Sequence, residues 1–176
     1  FIQRHRGRVV SWSGDAVLAD FNSVVESVQC AVEIQRELKA QNEALDTSQR
    51  MAFRIGVNLG DVMIDDHDIF GEGVNIAARL QSLAPPGGIL ISGSVHDQIK
   101  NKLALGYSFL GNQQVKNIAD QVPTFVVLHE TSPSMPIAGD GSSSRTSARA
   151  LGLAPAPLSL RFGAGVVDVL FSSAAA

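Results

Sequence analysis

Ile69-Phe70-Gly71-Glu72-Gly73-Val74-Asn75-Ile76-Ala77-Ala78-Arg79-Leu80 is a breaker followed by a helix. The two glycines interrupt whatever extended run precedes them, and beyond them Val74, Ala77, Ala78 and Leu80 recur with helical spacing. Asn75 and Arg79 are four positions apart, so on a helix an amide and a guanidinium project from one face, one turn apart. Taken alone, such a pair reads first as a solvated stripe, because exposed polar residues are the rule on amphipathic helices.

Immediately upstream, residues 50–57 alternate Phe53, Ile55 and Val57 in a strand pattern, Asn58-Leu59-Gly60-Asp61 reads as a turn, and Val62-Met63-Ile64 runs back. Asp65, Asp66 and His67 then read as a solvated hairpin tip, since one tight turn rarely lets such groups converge on a metal. Asp68 is separable from them because it enters the central stretch directly. Downstream, Pro85-Pro86-Gly87-Gly88 forces a sharp connection into the apolar strand Ile89-Leu90-Ile91. Ser94 is then expected to cap a helix reaching about residue 103. Tyr107-Ser108-Phe109-Leu110-Gly111 and Thr124-Phe125-Val126-Val127-Leu128 read as strands around a turn region that includes Gln114-Val115-Lys116-Asn117-Ile118.

At the other end, residues 1–7 have the look of a last helical turn closed by Gly7, with no initiator methionine, so a fragment is expected. Arg8-Val9-Val10-Ser11-Trp12-Ser13 and Ala16-Val17-Leu18-Ala19-Asp20-Phe21 form a hairpin through Gly14-Asp15, where an aspartate commonly serves the turn itself. Ser23 and Glu26 have capping-box spacing, and Val24, Val28, Ala31, Val32 and Leu38 extend a helix over about residues 23–40. This order predicts an α+β domain over residues 1–130, with helices on one side of a mostly antiparallel sheet. Residues 131–150, rich in Ser, Gly, Ala and Pro, read as a flexible linker, and 151–176 as an Ala/Pro-rich tail of unassigned structure.

Composition narrows the classes. The 176 residues suit one domain with an appendage, and the net charge of −3 lacks the basic excess of a nucleic-acid surface. No apolar run approaches the roughly 20 residues a membrane span requires. The single cysteine, Cys30, sits within a helical apolar pattern and reads as a buried free thiol, which fits a reducing, cytoplasmic setting.

With these elements in order, residues 1–128 resemble the catalytic domain of the bacterial class III adenylate/guanylate cyclases. Four ordered motifs carry the resemblance: Gly7-Arg8-Val9-Val10 through Gly14-Asp15, Phe53-Arg54-Ile55-Gly56-Val57-Asn58-Leu59-Gly60, Gly71 through Leu80, and Val115-Lys116-Asn117-Ile118. The resemblance implies a ferredoxin-like nucleotide cyclase fold and a reaction in which the ribose 3′-hydroxyl of ATP attacks the α-phosphate, releasing pyrophosphate and 3′,5′-cyclic AMP. It implies two divalent cations, Mg²⁺ or Mn²⁺, and matches Asp15 to one of two metal-binding aspartates. It further matches Arg79 to the arginine that stabilises the transition state, Asn75 to the asparagine that orients the ribose, Lys116 to a lysine on the terminal phosphates, and Asp68 to the position that reads the purine amine. Active sites at the interface of a homodimer are implied, in a module of intracellular signalling.

Two departures stand out. The family's base-selecting lysine is here Ser11, whose hydroxyl can bond adenine but supplies no charge. The family's first central strand, with its first metal aspartate, has no match in the residues ahead of the hairpin, so the chain by itself is expected to be inactive. A non-catalytic dimerisation or nucleotide-sensing domain is therefore the alternative. A diguanylate cyclase is disfavoured, because Ser13-Gly14-Asp15-Ala16 lacks the glycine-glycine-acidic signature of that family.

Overall fold

The computed structural model describes residues 1–13, 16–60, 63–65, 68–115, 121–129, 161–163 and 166–167. Its elements in chain order are β1 (Gly7–Ser13), β2 (Ala16–Phe21), α1 (Val24–Glu43), β3 (Ile55–Gly60), β4 (Met63–Asp65), β5 (Asp68–Phe70), α2 (Glu72–Leu83), β6 (Ile89–Ser92), α3 (Gly93–Ile99), β7 (Gly106–Gln113), β8 (Val122–Leu128), β9 (Arg161–Gly163) and β10 (Val166–Val167). The main sheet runs β1-β2-β9-β3-β6-β8-β7, with β10 on β3, and β4 and β5 form a separate hairpin. Pairing is antiparallel at β1/β2, β6/β8 and β8/β7, and parallel from β2 through β9 and β3 to β6. The architecture is α+β, as the residue pattern leads one to expect.

The interior position between β2 and β3 is held by the C-terminal β9. Leu18 and Ala19 pair with Arg161 and Phe162 on one side, and Val57 and Asn58 pair with Phe162 and Gly163 on the other. Residues more than a hundred positions downstream of β2 thus enter the sheet between it and β3.

Strand alternation sends successive side chains to opposite faces, and two apolar layers result. On one face Val28, Ala31 and Ile34 of α1 meet Ile55, Val57, Ile89 and Ile91, joined by Val95 and Ile99 of α3 and Val127 of β8. On the other, Leu80 and Ala84 at the end of α2 meet Leu90 and Val126, with Ile76, Leu83 and Leu110 against them. Each fully buried aliphatic side chain contributes roughly 2 kcal/mol. Helices therefore cover both faces, a correction to the one-sided plan. Its physical reason lies in β3, where Gly56, Asn58 and Gly60 share a face on which a helix backbone can settle directly.

Several boundaries also differ from expectation. The Ser23 hydroxyl does cap α1, accepting the Glu26 N–H at 3.4 Å. Asn58, Leu59 and Gly60 are strand residues of β3, not a turn. Arg6, not Gly7, takes the left-handed backbone after the first 3-10 turn, with φ 57°, while Gly7 opens β1 beneath the Phe21 ring. The side chains of Arg4 and His5 in that turn both engage Glu33 of α1. Ser92, not Ser94, holds the N-cap of α3, which ends at Ile99. The buried Gln35 amide donates to the Phe53 and Gly88 carbonyls at 3.0 and 3.3 Å, fastening α1 to the entries of β3 and β6. Among the described residues, no helix is long and apolar enough to cross a membrane.

Candidate active site

Gly71 is the N-cap of α2, with φ 144°, an angle that L side chains resist. Glu72 follows in the first turn, where its charge complements the helix dipole. Gly73, Ala77 and Gln81 fall on one buried stripe of the helix, and they are the residues that meet β3. A β-carbon built on Gly56 would stand 2.3 Å from the Ala77 carbonyl oxygen and 2.4 Å from the Gln81 nitrogen. One built on Gly60 would stand 3.2 Å from the Gly73 Cα. Between them the buried Asn58 amide donates to the Gly73 carbonyl at 3.1 Å.

Asn75 and Arg79 occupy the opposite stripe and are exposed. The Arg79 carbonyl accepts the Ser82 hydroxyl at 2.8 Å, but no described side chain engages its guanidinium or the Asn75 amide. Both polar groups are therefore presented outward, one turn apart, on a helix seated against the sheet.

Ser11 is half-buried on β1, opposite Leu18 of β2. Ala19 is in register, through Phe162, with Val57 of the α1 layer, so Leu18 and its partner Ser11 belong to the opposite, α2 side of the sheet. Two positions toward the chain end of β2, also on that side, Asp20 grips Arg8 across the strands: Arg8 Nε donates to both carboxylate oxygens at 2.8 and 2.9 Å, and Nη2 lies 2.8 Å from Oδ2. The carboxylate raises the arginine pKa above its ordinary value through that hydrogen bond. A bulge between Val9 and Ser11 separates this clamp from the hairpin tip.

Asp68 opens β5, in register with Asp65 of β4. The β5 strand touches both β1 and α2, so the strand bearing Asp68 bridges the strand bearing Ser11 and the helix bearing Asn75 and Arg79. Strand β5, on which Asp68 lies, is thus near β1 as well as next to α2 in the chain. Asp15 and Lys116 lie outside the described residues. Among the described residues no group of three His, Cys, Asp or Glu side chains could hold a metal ion.

An apolar groove of about 370 Å³, lined by Phe1, Ile2, Val9, Ile34, Leu38 and Phe53 among others, lies on the α1 side and includes none of these residues. Asn58 was not singled out by its sequence context. The available signal was two glycines flanking a polar residue at two-residue spacing, which on a strand places all three on one face.

A family profile described as the adenylate and guanylate cyclase catalytic domain matches residues 1–129. The chain is 43% identical over 114 residues to a Rhizobium meliloti protein named "Putative adenylate cyclase 3", covering 65% of this chain but only 19% of that protein. The chain thus spans about a fifth of the length of this relative. Among solved structures, an adenylate/guanylate cyclase/hydrolase from Silicibacter pomeroyi superposes with a TM-score of 0.70 at 35% identity, covering 73% of this chain and 76% of that one. The adenylyl cyclase CyaB from P. aeruginosa shares the fold at 21% identity, with a TM-score of 0.58 over 78% of this chain and 77% of that one. On the profile match and the 35%-identical structure, this chain belongs to the adenylate and guanylate cyclase catalytic domain family.

Proposed function

We propose that the chain is an adenylate cyclase module, forming 3′,5′-cyclic AMP and pyrophosphate from ATP in cytoplasmic signal transduction, as a homodimer with active sites at the interface. The observation that supports this reading is the outward, exposed pair Asn75 and Arg79 on α2, a helix that follows β5, which in turn lies near the strand of Ser11.

In the proposed reaction the 3′-oxygen forms a bond to the α-phosphorus, the bond from that phosphorus to the bridging oxygen breaks, and the hydroxyl proton passes to solvent. Arg79 offers a fixed fork of donors to phosphate oxygens as charge develops there. Asn75, one turn away, holds the ribose so that the hydroxyl lies in line, a contribution of orientation rather than of charge. Asp68 accepts from the adenine amine, with Ser11 as a second, neutral partner, and Lys116 binds the terminal phosphates. The chemistry that divalent cations supply when bound is neutralisation of the phosphates and acidification of the hydroxyl, and Asp15 is the carboxylate that would hold one.

The chain matches one of the two metal-binding aspartates that the resemblance calls for. Nucleotide binding is therefore proposed for the chain by itself, and turnover for a protein that adds the second carboxylate. Ser11 in place of a lysine favours a second reading, a domain that senses nucleotide without turning it over. Titration calorimetry with ATP and GTP in Mn²⁺, beside cyclic nucleotide assays on the chain and on a fusion supplying an aspartate-bearing strand, separates the two. Cyclic AMP from the fusion supports the enzyme, tight binding with no product from either supports the sensor, and neither activity overturns both.

A further inference from the structure

We propose that Asn58 is a positioning residue for Asn75 and Arg79, setting the rotation and axial register of α2 on β3; the role rests on the cyclase reading above. Asn58 is only 2% exposed, an uncharged amide in mid-strand where an apolar residue would be the default occupant. Its Nδ2 donates to the Gly73 carbonyl at 3.1 Å, in the first turn of α2.

The glycines on either side explain why one bond has such leverage. Gly56 and Gly60 let the helix backbone approach to contact distance, yet a face without side chains offers no ridges to fix the angle of the helix. The Asn58 bond is the directional contact between the two glycines. Gly73, Ala77 and Gln81 face β3, and on a helix Asn75 and Arg79 then fall roughly 200° around. A rotation of about 20° would carry a guanidinium tip, roughly 7 Å from the helix axis, through more than 2 Å. Displacements of that size at a reacting group cost on the order of 100-fold in rate.

The discriminating variants are Asn58→Leu, similar in volume without a donor, and Asn58→Asp, which turns an acceptor toward the Gly73 carbonyl. In a form that turns over ATP, both are expected to lower kcat at least tenfold while KM for ATP changes less than threefold. An unchanged kcat in a folded Asn58→Leu protein overturns the role. Independently of turnover, spin labels on Arg79→Cys and Asp97→Cys read the separation of α2 and α3, with Cys30 buried away from the reagent. Asn58→Leu is expected to shift or broaden that distance distribution by about 2 Å or more, and an identical distribution overturns the proposal. A parent without turnover counts against the cyclase reading alone, and the label distances then decide the positioning role. Should Asn58→Leu fail to fold, Asn58→Asp is read by the same labels with the same two outcomes.

Discussion

Gly56 lies beneath Ala77 so closely that no side chain fits between strand and helix: a β-carbon would stand 2.3 Å from a backbone oxygen, which cannot swing aside. Gly56→Ala must push α2 off the sheet, an overpacking cost of about 1–3 kcal/mol. The expected result is a thermal midpoint lower by several degrees, measured by calorimetry, with nucleotide binding weakened alongside it. A midpoint equal to that of the parent would show that α2 does not rest on this strand as described.

Arg79 gives the opposite profile. It is exposed, so Arg79→Ala should leave unfolding free energy within about 0.5 kcal/mol of the parent. In a form that makes cyclic AMP, kcat should fall by roughly 10²–10³, the loss seen when a transition-state donor is removed. Arg79→Lys keeps the charge without the fork and should recover only part of that loss. Product assays with parallel urea titrations check both halves.

Ser11 is expected to limit base selection. Ser11→Lys introduces a charged donor on the strand that β5 touches, and a charge-assisted hydrogen bond to adenine should raise kcat/KM for ATP over GTP by roughly tenfold. Competition assays with both nucleotides measure the ratio, and an unaltered ratio would remove Ser11 from the base pocket.

His129 follows β8 and is buried; that burial, reinforced by the positive charge of Arg36, pushes its pKa down from 6.5 to about 4. The unfolded chain therefore takes up a proton that the folded chain refuses. Stability from this group is complete above pH 6.5 and is lost as pH falls from 6.5 toward about 4, amounting to roughly 2 kcal/mol by pH 5. Glu33, whose pKa is lowered chiefly by its hydrogen bond to His5, acts in the same direction but only below 4.5. Urea titrations at pH 7 and pH 5 should show the loss, and His129→Gln should flatten it.

Cys30 is fully buried, and desolvation pushes its thiol up to about 12. At pH 8 the native protein should give no colour with a disulfide reagent, and one thiol per chain should appear in denaturant. Rapid labelling of the native state would contradict the packing of α1.

Legibility in the sequence followed the kind of contact each residue makes. The α1 helix was readable because Ser23 caps it and Val24, Val28 and Ala31 bury side chains at helical spacing. The side of the sheet on which α2 lies was not, because Gly56, Asn58 and Gly60 are covered by helix backbone and present no apolar period. The same composition made the end of β3 look like a turn. The Asn75/Arg79 spacing was local and visible, whereas the approach of β5 to β1 depends on a tertiary contact that no local pattern encodes. Strand β9 joins its neighbours through only two register pairs on each side, too few to mark it within an Ala/Pro-rich tail.

The two apolar layers are unequal in a way that bears on local stability. The layer between α1, α3 and the sheet is broad, whereas four buried residues, Leu80, Ala84, Leu90 and Val126, form the cluster beneath the far end of α2. Local opening is easiest where buried apolar contact is least. The helix that carries the proposed reactive side chains joins the large core through Val74 near its start, lies by its backbone on Gly56 and Gly60, and ends on this smaller patch. Partial unfolding is thus expected to start at the last turn of α2 and leave the larger cluster intact, so that amide exchange near Leu80 and Ala84 outpaces exchange in α1.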